Sequence, residues 1–260
     1  MSITNQSQST DSTKRALIVT GAANGLGLAI ARRFAADGAK LLLVDCDSAV
    51  LSRIGEKDFP ALRTFALVKD LAEADAAEFV FAEAGRTIGL VDGLINNAGW
   101  SFHKPIQNVT VEEFDRLVAI NQRAPFFLAQ EFVRQLSAVK VKPVDPVIVN
   151  IASVNALVGN PNLAAYSGTK GALAAITRAL AVELPGIRVN SISPSAIKTF
   201  VTSGLIESGV INPPRLFEDY IVRRFATCEE IAELVAYLCS PAATFVTGAN
   251  WVIDGGYIAR

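Results

Sequence analysis

Short runs of aliphatic residues alternate along the chain with longer stretches in which apolar positions recur every three or four residues. Residues 16–20, 40–44, 63–68, 93–95, 147–151, 187–192 and 250–253 read as strands, and 26–37, 72–84, 111–138, 163–183 and 228–239 as helices. The punctuation agrees with this division. Gly38, Gly85 and Pro185-Gly186 close three of the helices. Thr110 with Glu113 three residues on forms a capping box, and Thr227 is placed to cap the last helix. Strands such as Leu41-Leu42-Leu43-Val44 are apolar without alternation, so both faces are expected to be buried, as in parallel sheets. Strand–helix alternation of this kind predicts a doubly wound α/β domain, with a parallel sheet of about seven strands and helices on both faces. One stretch breaks the pattern. Residues 195–226 contain Pro213-Pro214 and no clear period, and they are expected to form an irregular, substrate-binding lid region.

Of the 260 residues 51% are hydrophobic, enough for one sizeable core and no second domain. A net charge of −1, with no basic stripe or acidic tail, argues against nucleic acid or an anionic membrane as partner. Residues 1–13 are polar, lack the apolar centre of a secretory signal, and are expected to be a disordered tail. No apolar run approaches the roughly 20 residues that span a bilayer. The cysteines, Cys46, Cys228 and Cys239, are odd in number and share no metal-ligand spacing, which suits a reducing, cytoplasmic setting. No carboxylate–histidine set suggests a catalytic metal.

The candidate chemistry begins at Thr20-Gly21-Ala22-Ala23-Asn24-Gly25-Leu26-Gly27, between the first strand and the first helix. There Gly21 permits a tight turn, Gly25 lets backbone approach a pyrophosphate, and Gly27 permits close packing of helix on strand. Unpaired N–H groups at the helix start complete a phosphate site, and the fold becomes Rossmann-like. Asp45 ends the second strand at the distance where a carboxylate accepts from an adenosine ribose diol; the alternative is a turn or capping residue before Ser48. With no Arg or Lys at Ala22, Ala23, Asn24 or Cys46, a 2′-phosphate would meet uncompensated negative charge, so NAD is favoured over NADP. Further on, Tyr166 and Lys170 stand i,i+4 on a helix, and Ser153 follows the strand at 147–151. A free tyrosine titrates near 10, and a cation about 4–6 Å away favours its phenolate, so Lys170 can make Tyr166 a usable base. Ser153 can donate to a substrate oxygen as charge develops.

The glycine turn, Asn96-Asn97-Ala98-Gly99, Ser153 and Tyr166-x-x-x-Lys170, in this order, resemble the short-chain dehydrogenase/reductase family from about Lys14 to the end. Asp70-Leu71, Asn121, Ile187-Arg188-Val189-Asn190, Ser193-Pro194 and Val252-Ile253-Asp254-Gly255-Gly256 extend the resemblance. The Tyr-to-Lys spacing looks like that of the common branch, not the enoyl-reducing one. The resemblance implies an oxidoreductase exchanging a hydride between NAD(H) and a secondary alcohol or ketone. Tyr166 would be the acid/base, Ser153 would join it in holding substrate, Lys170 would also hold the nicotinamide ribose, and Asn121 would bind a water linking Lys170 to solvent. The expected cofactor-binding set is Gly21, Asn24, Gly25, Leu26, Gly27, Asp45, Asp70, Leu71, Asn97, Ala98, Gly99, Tyr166, Lys170, Pro194, Ile197 and Thr199. Asp70 and Leu71 flank the adenine in this reading. His103 is read as exposed or structural rather than substrate-binding. A homotetramer is expected, because the helices at 111–138 and 163–183 carry apolar residues on more than one face. An NADP-dependent carbonyl reductase and a non-catalytic dinucleotide sensor stay open as alternatives. Two departures stand out: Ser195 where the family usually has Gly, and a short connection at 184–186.

Overall fold

A computed structural model of the chain describes residues 15–209 and 212–259; the tail expected at 1–13 lies outside them. Seven parallel strands form one sheet: β1 (Ala16–Thr20), β2 (Lys40–Asp45), β3 (Thr64–Val68), β4 (Gly93–Asn96), β5 (Val147–Ile151), β6 (Arg188–Pro194) and β7 (Asn250–Ile253). Their order is β3-β2-β1-β4-β5-β6-β7, so the winding reverses between β1 and β4. The helices are α1 (Gly25–Ala36), α2 (Ala76–Thr87), α3 (Val111–Val118), α4 (Ala124–Ala138), α5 (Ala164–Glu183), α6 (Phe200–Glu207), α7 (Pro213–Phe217) and α8 (Cys228–Leu238).

The unbroken apolar strands do bury both faces. Leu17, Val19, Leu41, Leu43, Val147 and Val149 pack with α1 and α8, whereas Ile18, Leu42, Val44, Leu94 and Ile148 pack with α2 and α4. Period-two side-chain alternation thus feeds two cores from one set of strands.

Several boundaries differ from the sequence expectation. The long helix expected at 111–138 is split by a π-helical turn over Ala119–Arg123. The second helix starts at Ala76 rather than 72, because Asp70 ties the preceding turn by accepting from the Ala72 N–H at 2.9 Å. The sixth strand runs on to Pro194. Residues 195–226 are not wholly irregular: they hold α6, capped by Thr199, and α7, capped by Asn212 with prolines in its first turn. The short connection at 184–186 is a surface turn in which Gly186 takes a φ of +90°.

One helix is seated through a glycine. A Cβ built on Gly27 would lie 1.9 Å from the Gly21 carbonyl oxygen and 2.6 Å from Asn97 Nδ2. Backbone cannot give way as a side-chain tip can, so Gly27→Ala is expected to cost at least the roughly 1–3 kcal/mol of an overpacked site. Thermal denaturation should show a marked drop in Tm, and fluorescence titration should show loss of NADH binding; wild-type values for both would mean that α1 can lift off β1 freely.

Candidate active site

The sheet reverses direction between β1 and β4, and a crevice opens at the carboxyl ends of these strands. Its floor is a hydrogen-bonded knot. Thr20 Oγ1 donates to the Ile95 carbonyl at 3.3 Å and accepts the N–H groups of Asn97 and Ala98, each at 3.0 Å. Asn97 Nδ2 donates to the carbonyls of Thr20 at 2.9 Å and Gly21 at 3.1 Å. Gly21 has a φ of +65°, and a Cβ on it would lie 2.8 Å from the Ala98 Cα.

The start of α1 is built unlike those of α3 and α8. The latter two carry complete capping boxes, Thr110 with Glu113 and Thr227 with Glu230. At α1 the Asn24 side chain makes no capping bond, and the first turn holds no acid. The free N–H groups and the positive end of the helix therefore face the crevice. A cavity of about 310 Å³ lies against them. It is lined by the glycine turn (Gly21, Asn24, Gly25, Leu26, Gly27), by Asp45, Asp70 and Leu71, by Asn97, Ala98 and Gly99, and by Thr199. The structure thus brings together most of the positions expected to hold a cofactor. Pro194, Ile197, Tyr166 and Lys170 are not among its lining residues. Cys46, Lys69, Trp100, Arg116 and Ile120 also line it, and sequence reasoning did not propose them as part of the set.

At one end of the cavity Asp45 holds the turn itself. Its Oδ2 accepts the Ala23 N–H at 2.9 Å and its Oδ1 the Asp47 N–H at 3.0 Å. Arg53 holds the next peptide, donating to the Ala23 carbonyl at 2.8 and 3.0 Å. The turn role weighed for Asp45 is therefore real, while the cap before Ser48 belongs to Asp47. The two cations in the lining are paired. Lys69 lies 2.6 Å from Glu73 and 2.8 Å from Asp75, and Arg116 lies 3.0 Å from Asp70. Partial burial would raise the Asp70 carboxyl, but the Ala72 N–H and Arg116 bring it below the ordinary carboxylate range.

Beyond the lining residue Gly99, α5 carries Tyr166 and Lys170 across the tip of β5; a Cβ built on Gly99 would lie 3.5 Å from Lys170 Nζ. Ser153 tempers the rise that burial gives the Tyr166 phenol. Lys170 is 3% exposed; its Nζ donates to the Ile151 carbonyl at 2.7 Å and lies 5.7 Å from the centre of the Tyr166 ring. Asn121 sits in the π turn, fully buried. Its Oδ1 accepts the Trp100 N–H, and its Nδ2 donates to the Trp100 carbonyl, both at 2.8 Å, and to Thr169 Oγ1 at 3.2 Å. The same residue is thus both a helix-distorting residue and the anchor of the loop after Gly99. His103 is exposed and lies outside the cavity lining. Cys46 is exposed, not the packing residue its size suggests. Among the described residues no His, Cys, Asp and Glu cluster could hold a metal.

Residues 21–258 match the sequence profile of a family described as Enoyl-(Acyl carrier protein) reductase. The meso-2,3-butanediol dehydrogenase of Serratia marcescens is 32% identical over 247 residues, covering 94% of this chain and 95% of that protein. The chain belongs to the short-chain dehydrogenase/reductase family. Levodione reductase of Leifsonia aquatica is 36% identical over 269 residues, with 97% of each chain covered. A solved short-chain dehydrogenase/reductase from Brucella melitensis, described as a glucose/ribitol dehydrogenase, superposes with a TM-score of 0.85 at 37% identity, covering 94% of this chain and 96% of that one. A 4-hydroxyisoleucine dehydrogenase solved with NADH gives 0.86 at 28% identity, over 95% and 100% of the two chains. This short-chain dehydrogenase/reductase is accordingly an oxidoreductase of the nicotinamide-dinucleotide type.

A dinucleotide fits the cavity on the structure's own terms. The uncapped, acid-free start of α1 wants an anion, and the glycines leave the backbone bare where side chains would block it. Burial acts on both members of the Tyr-x-x-x-Lys pair. Burial pushes the Tyr166 phenol above its ordinary value, opposed by Ser153, and brings Lys170 down to about 8. The two shifts run in opposite directions, each set by burial that disfavours the charged form. For Lys170 alone the sign is clear. The unfolded chain holds this proton more tightly, so burial destabilises the fold fully below pH 8, and that penalty fades as pH rises toward the unfolded value of 10.5. Lys170→Met removes the buried charge. Its cofactor-free Tm at pH 7 is expected to equal or exceed that of wild type, with the gap closing above pH 8 in calorimetry. A clear drop in Tm would mean that the bond to Ile151 outweighs the burial of the ammonium.

Proposed function

We propose that this chain is an NAD-preferring dehydrogenase that interconverts secondary alcohols and ketones, with Tyr166 as the general acid/base. The observation that carries the reading is Lys170 buried 5.7 Å from the centre of the Tyr166 ring at the tip of β5, where Ser153 follows, next to a cavity suited to a dinucleotide. When bound, the nicotinamide supplies or accepts the hydride. The residues do the rest. Gly21, Asn24, Gly25, Leu26 and Gly27 receive the pyrophosphate, Asp70 and Leu71 flank the adenine, and Asn97, Ala98, Gly99, Pro194, Ile197 and Thr199 border the nicotinamide half. Ser153 donates to the substrate oxygen, and Tyr166 takes the alcohol proton or returns it to the ketone. Lys170 favours the phenolate and holds the nicotinamide ribose. Asn121 orders the water link to solvent through its main chain, since both polar atoms of its side chain are engaged. A hydroxyl donor beside the acid/base suits a carbonyl or alcohol oxygen, which is why alcohol–ketone exchange is preferred to enoyl reduction.

Cofactor choice rests on Asp45. Each of its oxygens already accepts one backbone N–H and retains a lone pair for a ribose hydroxyl. Lys69 and Arg116 favour a second reading, NADP-dependent carbonyl reduction, because they bring cations to the cavity; both are already paired with carboxylates. A phosphate dianion against Asp45 is a like-charge contact of several kcal/mol, so NAD is favoured at least about a hundredfold. The family's assembly supports a homotetramer: Phe126 and Phe127 on α4 are each 42% exposed and Val182 on α5 is 86% exposed. No helix among the described residues is long and apolar enough to cross a membrane, and a cytoplasmic location goes with the free thiols.

Three outcomes are expected. In a panel of secondary alcohols and ketones followed by NADH absorbance, Tyr166→Phe loses several orders of magnitude in kcat, while Kd for NADH stays within a few-fold; near-normal turnover sinks the assignment. Comparison of kcat/KM for NAD and NADP should show the stated preference in wild type and a narrowed ratio in Asp45→Ala; equal use by wild type would take Asp45 off the ribose. Light scattering at micromolar concentration should return a tetramer mass, and a monomer mass would refute the assembly.

A further inference from the structure

Ser153 is held in an orientation that leaves it one use. Its Oγ accepts twice from Asn155, once from the backbone N–H and once from Nδ2, each at 3.2 Å. A hydroxyl has two acceptor lone pairs and one proton. With both lone pairs facing Asn155, the O–H is left to point away from it, free for an oxygen on the Tyr166 side. The Asn155 amide is itself fixed, because its Oδ1 accepts from Asn160 Nδ2 at 2.9 Å. Asn160 is fixed in turn, because its Oδ1 accepts the Tyr257 hydroxyl at 2.8 Å. Rotating the Asn155 amide alone by half a turn would set Nδ2 against Nδ2, and rotating the Asn160 amide alone would set Oδ1 against Oδ1. Tyr257 belongs to the C-terminal segment, pinned where Asp254 accepts the N–H groups of Gly256 at 2.9 Å and Ile258 at 2.8 Å. Its ring lies on Tyr220 at 5.0 Å between centroids, and the Tyr220 hydroxyl accepts the Ala196 N–H at 3.3 Å, next to Ser195, the residue that departs from the family's usual glycine.

We infer that Asn155, Asn160 and Tyr257 are positioning residues that aim the Ser153 hydroxyl at the reacting oxygen, so that the C-terminal segment sets the direction of the active-site donor. The inference rests on the reading of Ser153 and Tyr166 given above. Its chemistry is directional. A Ser153 hydroxyl turned toward Asn155 would present a lone pair, not a proton, to an oxygen gaining negative charge, and to the Tyr166 phenolate. None of the three residues need touch substrate. Each acts through the next.

The sharpest test is Asn155→Asp, nearly isosteric, which replaces the Nδ2 donor by an acceptor and reverses the Ser153 hydroxyl. Turnover of cyclopentanol and of meso-2,3-butanediol with NAD is measured for wild type, Asn155→Asp, Asn155→Ala and Tyr257→Phe, each with and without Ser153→Ala. Asn155→Asp is expected to lower kcat roughly ten- to a hundredfold, and the other two roughly three- to tenfold, the range of one charged or one neutral hydrogen bond. KM, and Kd for NADH by fluorescence, should stay within about twofold, which also reports that the variants fold. The ascending limb of the pH–rate profile for oxidation should move to higher pH, since the phenolate loses a donor. In the Ser153→Ala background all three effects should vanish. A second readout needs no substrate: tyrosinate absorbance in the near ultraviolet, taken against the matching Tyr166→Phe protein, should show the same upward shift in titration. Effects that persist undiminished without Ser153 overturn the relay while leaving the site reading intact. A Ser153→Ala enzyme as fast as wild type overturns both. A loss confined to the diol makes the asparagines a subsite for its second hydroxyl and overturns the positioning role.

Discussion

The arrangement depends on the stitching of two loops at the point where the sheet reverses. Thr20 and Asn97 lie at the ends of adjacent strands, and between them they satisfy the exposed ends of β1 and β4 with five hydrogen bonds. Backbone groups so close to the core must be paired with something other than water. Asn97 does this with a side chain, which draws the glycine turn and the Asn-Asn-Ala-Gly loop into contact. Gly21 and Gly27 follow from that closeness, since a Cβ at either would strike backbone. The cavity exists because this knot holds α1 tightly against β1 while leaving its first N–H groups uncapped.

A second line of buried polar groups carries the constraint across to the acid/base end. Asn96 donates to Asn150 at 2.8 Å, Asn150 to Thr177 at 2.9 Å, and Thr177 to the Leu173 carbonyl at 2.9 Å. These bonds join β4, β5 and the middle of α5 in one register, where apolar contacts alone would tolerate sliding. Lys170 then reaches the Ile151 carbonyl at the end of β5, and Asn121 ties the π turn to Trp100 and Thr169. The helix that bears Tyr166 is therefore fixed at its middle and its flank, and its first turn projects over the end of the sheet. Polar bonds that contribute modestly to stability contribute decisively to placement.

Much of this was legible from residue order. The strands are apolar without alternation, so burial on both faces and parallel pairing followed, and the glycine spacing marked the turn that lines the cavity. The asparagines, Ser153 and the Tyr–Lys pair carried the family resemblance. What escaped has physical reasons. The π turn at Ala119–Arg123 has no local signal, because it is held by tertiary bonds of Asn121. Helix α7 did have one, Asn212 before Pro213, a capping residue followed by a first-turn proline, which the irregular surroundings obscured. Lys69 and Arg116 reach the cavity from β3's end and from α3, a meeting that only the sheet order and the helix above it can arrange. The link from Asn160 to Tyr257 spans 97 residues and has no sequence signature at all.

The same economy explains why the acid/base end is a poor place for stability. Lys170 is buried without a carboxylate partner among the contacts that hold it, and its charge is opposed by its surroundings. A salt bridge would relieve that, but it would also fix the proton on Lys170 and spend its field on the wrong anion. Left with a neutral carbonyl as partner, the ammonium keeps its attraction for the charge that forms on Tyr166. Ser153 is treated alike: its lone pairs are occupied and its proton is left for an oxygen that becomes negative. At both residues the resting protein withholds the most stabilising partner, so the largest electrostatic gain is reserved for the moment when charge develops.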